Sequence, residues 1–182
     1  MTTITITEGL AELKTINKRI QKKEQYIQQY LIRQEKLKDP LEKDGGSHEV
    51  IRRERQALDD LRERTVKLRT AIRGASEMNK IAVCGINRSI ADWLTWRREV
   101  AQGAGQFLDL LRGTIATVRK QAAEKQLQVR QATETGAEPD DVIINISESG
   151  LAGEIEKHEE ILGTLDGQLS LKDATTFITV ED

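Results

Sequence analysis

Between Ser89 and Ala122 one series of positions recurs at alternating spacings of four and three: Ile90, Leu94, Arg97, Ala101, Ala104, Leu108, Leu111, Ile115, Val118 and Ala122. Only Arg97 interrupts its apolar character. A repeat of this kind keeps one stripe of an α-helix turned toward one partner. At about 1.5 Å per residue such a helix spans roughly 50 Å, so other helices must lie alongside it. The remaining chain supplies them. Apolar residues make up 37% of the 182 positions, charged residues 32% and aromatic residues 3%. That balance suits long helices with narrow buried stripes better than a thick core. The two prolines, Pro40 and Pro139, leave room for uninterrupted helices.

Ahead of the long helix, Thr2 to Thr7 alternates Thr and Ile, the period-two pattern of a strand. Thr5 with Glu8 forms a capping box for a first helix. Its stripe is Leu13, Ile16, Ile20, Ile27, Tyr30 and Leu37, with Lys23 and Gln34 at two further stripe positions. Pro40 places the helix end at Lys38 or Asp39. After a loop containing Gly45 and Gly46, Ser47 is the expected cap of a second helix with stripe Ile51, Leu58, Leu61, Thr65, Leu68 and Ile72. Glu54 is its one exception. The two form an antiparallel hairpin. Ile81 to Ile86 reads as a short apolar connector, and Ser89 with Asp92 caps the long helix, whose polar end runs to about 134. Val142 to Ser147 reads as a strand, Ser149 as the cap of a last helix (Leu151, Ile155, His158, Leu162, Leu165, Leu169), and Thr176 to Val180 as a strand.

The expected fold class is therefore mainly α: an elongated antiparallel bundle of about four helices with a small β appendage. The expected division is a helical body over 1–135 (strand 2–7, helices about 8–38, 48–79 and 89–134) and a strand–helix–strand segment over 136–182. The charge divides at nearly the same place. Residues 1–133 carry 26 Lys and Arg against 17 Asp and Glu, while residues 134–182 carry 2 against 13. The net charges of +9 and −11 give −2 overall. Such a split has two readings: a basic body that meets an acidic partner, or one end of the chain neutralising the other.

In this order of elements the chain resembles the septicolysin-like family of small bacterial helical proteins. The resemblance is carried by the opening hairpin, the Ile72…Met78-Asn79 junction, the Ser89-Ile90-Ala91-Asp92-Trp93-Leu94-Thr95-Trp96-Arg97-Arg98 start of the third helix, and the strand–helix–strand from Val142 to Val180. It implies the helical fold and no functional residues.

The chain offers little for chemistry. His158 has Glu154 and Glu159 beside it, but the other histidine, His48, is in a loop, so the paired Glu-x-x-His of a di-metal bundle is missing. A structural or subunit-contact role is expected for His158. The single cysteine, Cys84, has no second thiol and reads as a buried spectator. Gly103-Ala104-Gly105 falls mid-helix and is no phosphate loop. No catalytic residue, cofactor or metal is expected, and the chain is read as non-enzymatic. Trp93, Trp96 and Phe107 would widen the core where helices meet, with Trp96, Arg97 and Arg98 as the alternative, an interface anchor. Phe177 on the last strand is a further interface candidate.

The expected function is structural: an assembly protein acting through helix faces and edge strands, as a homo-oligomer or within a larger complex. On the general style of the sequence the specific expectation is a phage virion component, a capsid decoration or head-associated protein. A second expectation is a nucleic-acid-associated protein using Lys18, Arg19, Lys22, Lys23, Arg52 and Arg53 on phosphate. A chaperone or pore-forming bundle is a third. The N-terminus lacks the basic and apolar regions of a signal peptide, and no run approaches the length of a membrane span. The expected location is cytoplasmic at synthesis and then the virion.

Overall fold

The structure, a computed structural model, describes residues 1–34, 36–132, 134 and 138–181. Among the described residues it is mainly α, with four helices, one of them interrupted by a π-turn, and a few short strands in small sheets, as the sequence leads one to expect. The chain forms two compact units, residues 1–79 with 170–182, and residues 80–169. This division differs from the expected break at 135/136, which falls on residues outside those described.

The first unit opens with β1 (Thr2–Thr5) and α1 (Ile6–Tyr30). The capping box forms as expected: the Thr5 amide donates to Glu8 Oε2 (2.7 Å) and the Glu8 amide to Thr5 Oγ1 (3.2 Å). The Thr5 amide, together with the Thr5 hydroxyl that donates to the same oxygen (3.0 Å), holds the Glu8 carboxyl below its ordinary pKa. The strand stops at Thr5 because the cap commits the chain to helix from Ile6. α1 ends at Tyr30, eight residues short of the expected Lys38. A distant requirement explains this. Asp39 Oδ2 accepts the Ser47 amide (2.8 Å), and its Oδ1 accepts the Leu41 amide (2.9 Å) and the Ser47 hydroxyl (2.5 Å). Asp39 thus caps α2 (Ser47–Met78) from the preceding loop, and Ser47, the expected cap, is instead the first helical residue. Carrying the helix through residue 38 would swing Asp39 away from these donors.

Along the α1–α2 hairpin the polar exceptions that fall within the helices, Lys23 and Glu54, meet. Lys23 Nζ lies 2.6 Å from Glu54 Oε2, with the side chains 28% and 29% exposed. Leu13, Ile16, Leu58 and Leu68 are buried around the same seam. The end of the chain closes this unit. β6 (Phe177–Val180) pairs antiparallel with β1, Thr2 opposite Val180 and Ile4 opposite Ile178. Ile178 and Val180 are buried, and Ile178 packs so close to Gly9 that a Cβ there would lie 3.1 Å from its Cδ1.

The second unit begins with a β-hairpin, β2 (Lys80–Val83) and β3 (Ile86–Ser89), where a connector was expected. Its two-residue loop holds Cys84 and Gly85 at φ of 48° and 77°. Positive φ at both central positions matches the twist of paired strands, but Cys-Gly advertises such a turn far less than Asn-Gly. Cys84 is half-exposed at this turn rather than buried, its sulfur 3.9 Å from Thr164 Oγ1.

The long helix is not a continuous repeat. It starts as α3 (Ile90–Thr95), capped by Ser89, passes through a π-turn at Trp96–Val100, and continues as α4 (Ala101–Glu124). The Ala101 amide donates to the Trp96 carbonyl, five residues back. One extra residue in the turn shifts the helical phase. Before it the inward residues are Ile90 and Trp93, whereas the expected Leu94 and Arg97 face solvent. After it the expected stripe holds, from Ala101 to Ala122. Trp93 fixes the shift: it is fully buried and its indole N–H donates to the Ile81 carbonyl at 3.1 Å.

α4 stops at Glu124, ten residues before the expected end, with Gln126 in the left-handed region (φ 59°). The chain then forms β4 (Val129–Gln131), parallel to β5 (Val142–Ile144). Arg130 Nε bonds Asp141 Oδ2 (2.7 Å) beside this pairing. The last helix, α5 (Glu148–Thr175), is capped by Ser147, whose Oγ accepts the Gly150 amide (3.1 Å), rather than by Ser149. Ile161, not Leu162, is its buried mid-helix residue.

Candidate interaction surfaces

In the second unit the π-turn places Trp96 between two rings. It meets Trp93 edge-on at 5.6 Å between centroids and His158 at 5.7 Å. His158 comes from α5 across a groove of about 310 Å³, whose walls include Gly105 and Leu108 of α4 and Ile155 and Leu162 of α5. A Cβ on Gly105 would sit 3.0 Å from His158 Nε2, so the glycine is what admits the imidazole. That nitrogen is buried and has no hydrogen-bond partner among the described residues. No three His, Cys, Asp or Glu side chains converge on a common point among the described residues.

The other expected contact residues are placed apart. Arg97 Nη2 pairs with Asp166 at 2.7 Å, and Arg98 with its neighbour Glu99 at 2.7 Å, all largely exposed. Phe177 is in the first unit, on the outward face of β6 and 67% exposed. Of the basic set, Lys18, Arg19 and Lys22 are exposed on α1, whereas Lys23 is engaged with Glu54. Arg52 is chelated by Glu49, and Arg53 donates to the Asp44 carbonyl (2.6 Å). Half of the phosphate-contact set is thus committed within the chain. The acidic end of the chain also neutralises basic residues: Arg119 pairs with Glu148 and Arg97 with Asp166. In the first unit, burial pushes the Asp173 carboxyl above its ordinary pKa, and its Oδ1 has no hydrogen-bond partner among the described residues.

A feature absent from the expectations is a second stripe on α4. Gly103, Phe107, Leu110, Thr114 and Thr117 are spaced four and three and all face solvent, and Val100, the last residue of the π-turn, is exposed just ahead of them. Val100, Phe107 and Leu110 are 48%, 59% and 64% exposed. Phe107, expected to widen the core, therefore points away from it. The hydroxyls of Thr114 and Thr117 donate to the Leu110 and Gly113 carbonyls (2.8 Å each). Those bonds satisfy the polar atoms of the two threonines within the helix. The stripe lies one position before Ala104, Leu108, Leu111, Ile115 and Val118 in the repeat, which hid it behind the stronger pattern.

Comparison with protein-family models, characterised proteins and solved structures finds no match to the chain. Among the described residues no helix is long and apolar enough to cross a membrane.

Proposed function

We propose that this chain is a non-enzymatic assembly protein, presenting helix faces to copies of itself or to a larger protein complex such as a phage head. The observation that carries the reading is the exposed stripe of α4, with large apolar side chains at Phe107 and Leu110 and the exposed Val100 of the π-turn just ahead of them. Scattered exposed apolar residues need no explanation, but a helical repeat of them is a surface built for another helix. The nucleic-acid reading is less well supported, because Lys23, Arg52 and Arg53 already have partners within the chain.

Light scattering on size-exclusion fractions tests the proposal. The expected result is a mass above that of one chain that rises with concentration, with no retention of duplex DNA at low salt. A single-chain mass at every concentration, together with DNA binding that falls steeply between about 50 and 200 mM salt, would overturn it in favour of the nucleic-acid reading.

A further inference from the structure

We infer that the first unit carries a binding groove, beside the start of α2, for a small phosphorylated ligand with a planar ring, of the nucleotide class. The inference stands apart from the assembly reading and draws on residues which that reading does not use.

One wall of the groove is α2. His48, Ile51, Arg52, Arg55 and Gln56 recur at one-turn spacing and so share a flank of the helix. Tyr30, where α1 ends, and Leu31 and Arg33 just beyond it form the other wall. The groove has a volume of about 550 Å³, within the range of sites that hold small organic ligands.

Charge selects the ligand. Three guanidinium groups, those of Arg33, Arg52 and Arg55, line the groove. The one carboxylate among its described lining residues, Asp59, is paired with Arg62 at 3.3 Å. Arg55 is exposed and has no ion-pair or hydrogen-bond partner among the described residues. Arg33 Nε lies 3.8 Å from Asp39 Oδ2, beyond hydrogen-bond reach of a carboxylate already engaged by Leu41 and Ser47. Arg52 gives Nε and Nη2 to Glu49 (2.9 and 2.8 Å), an anchor that leaves its Nη1 to donate into the groove. Guanidinium forks on two walls match the oxygens of phosphate groups held between them.

The remaining lining is uncharged. Tyr30, held against Tyr26 with ring centroids 4.9 Å apart, joins Leu31 and Ile51 in an aromatic and apolar surface. The Gln56 amide donates to Asp60 (3.0 Å) and keeps its carbonyl as an acceptor. That combination fits a base stacked beside Tyr30 with its phosphates on the arginines, whereas a bare polyphosphate would leave the apolar part uncovered.

Isothermal titration calorimetry of the full chain with ATP, GTP, CTP and UTP tests this. Tripolyphosphate serves as the ringless probe, and circular dichroism verifies the folding of each variant. At least one nucleotide should bind with a Kd below about 1 mM, and at least about fivefold more tightly than tripolyphosphate. Arg33→Gln and Arg55→Gln should each weaken that nucleotide at least about tenfold. Tyr30→Ala should weaken the nucleotide at least about threefold and leave tripolyphosphate unchanged, a split that misfolding would not produce. Arg19→Gln, the same loss of charge on α1 outside the groove, should leave the constant within about twofold of wild type. A Kd above about 1 mM for all four nucleotides overturns the inference. An equal loss in Arg19→Gln and Arg55→Gln does so too, because diffuse attraction then accounts for binding. Tripolyphosphate bound as tightly as the nucleotides removes the ring from the proposal and overturns it. An oligodeoxythymidylate held more than about tenfold tighter than every nucleotide overturns it in favour of a nucleic-acid strand.

Discussion

Asp39 shows how much one side chain can organise. Its carboxylate holds three donors, from Leu41 and Ser47, across the loop that joins α1 to α2. The Ser47 hydroxyl and amide, then the Leu41 amide, lower its pKa from an ordinary 3.8 to about 2. All three are bonds to the charged form, and the charge also lies at the positive end of the α2 dipole. A carboxyl with a folded-state pKa below its unfolded value gives up more protons on folding, so its contribution is complete above the unfolded value. It is lost as the pH falls through the folded one. The stability that Asp39 supplies should therefore be constant from neutrality down to about pH 5, shrink below 3.8 and vanish near pH 2. Replacing it by Asn removes the charge and keeps the shape. Asp39→Asn should lower the melting temperature at pH 7, and the gap to wild type should close as the pH is taken below 3.8. Melting curves in a pH series, read by far-ultraviolet circular dichroism, test this. A gap that is the same at pH 2.5 and pH 7 would mean that the charge contributes nothing to the cap.

At the scale of elements, the α1–α2 hairpin illustrates a seam fixed by a polar pair. Apolar stripes alone permit sliding by a heptad, since Leu, Ile and Val positions are interchangeable. Lys23 and Glu54 are each the odd residue in an apolar stripe, and only one register brings them within 2.6 Å. Removing one partner leaves the other part-buried and alone, so Lys23→Met should cost about 1–2 kcal/mol in urea unfolding. Lys23→Met with Glu54→Met should return to within about 1 kcal/mol of wild type, or exceed it, because burying charge is itself expensive. A double variant as unstable as the sum of the two singles would show that the side chains do not interact. This seam was legible in the sequence: both stripes, both exceptions and the Thr5–Glu8 box could be read from spacing. The end of α1 was not, because it is decided by Asp39 reaching forward to Ser47. The phase of the third helix was equally hidden. Its four-three spacing is unbroken in the letters, yet the π-turn at Trp96–Val100 turns Trp93 inward in place of Leu94. A large indole with a carbonyl to bond prevailed over a regular repeat, and local pattern carries no record of that contest. The same regularity obscured the second stripe of α4, whose Phe107 and Leu110 read as additions to a core they do not enter.

At the scale of the whole molecule, the distribution of the chain between its units matters most. The first unit is completed by its two extremes: β1 at the start pairs with β6 at the end, and the Ile6 amide donates to the Thr176 carbonyl at 2.9 Å. Closing so long a loop costs entropy that only the contacts of β6 can offset. Those contacts are concentrated on one face. Ile178 and Val180 are 4% and 2% exposed, Ile178 resting on Gly9, while Phe177 and Thr179 point outward. The apolar face of β6 should therefore control the stability of α1 and α2, although the strand lies about a hundred residues beyond them in the chain. Ile178→Ala removes buried methyl and methylene groups and should destabilise this unit by about 2–4 kcal/mol. Thr179→Ala, on the other face of the same strand, should change it by less than about 0.5 kcal/mol. Amide hydrogen exchange followed by mass spectrometry reads the effect where it is expected. Peptides from residues 6–30 and 47–78 should exchange faster in Ile178→Ala, in proportion to the lost stability, and at the wild-type rate in Thr179→Ala. Equal protection in all three proteins would mean that the hairpin of α1 and α2 holds without its C-terminal strand, and that the pairing of the chain ends is a consequence of the unit's stability rather than a source of it.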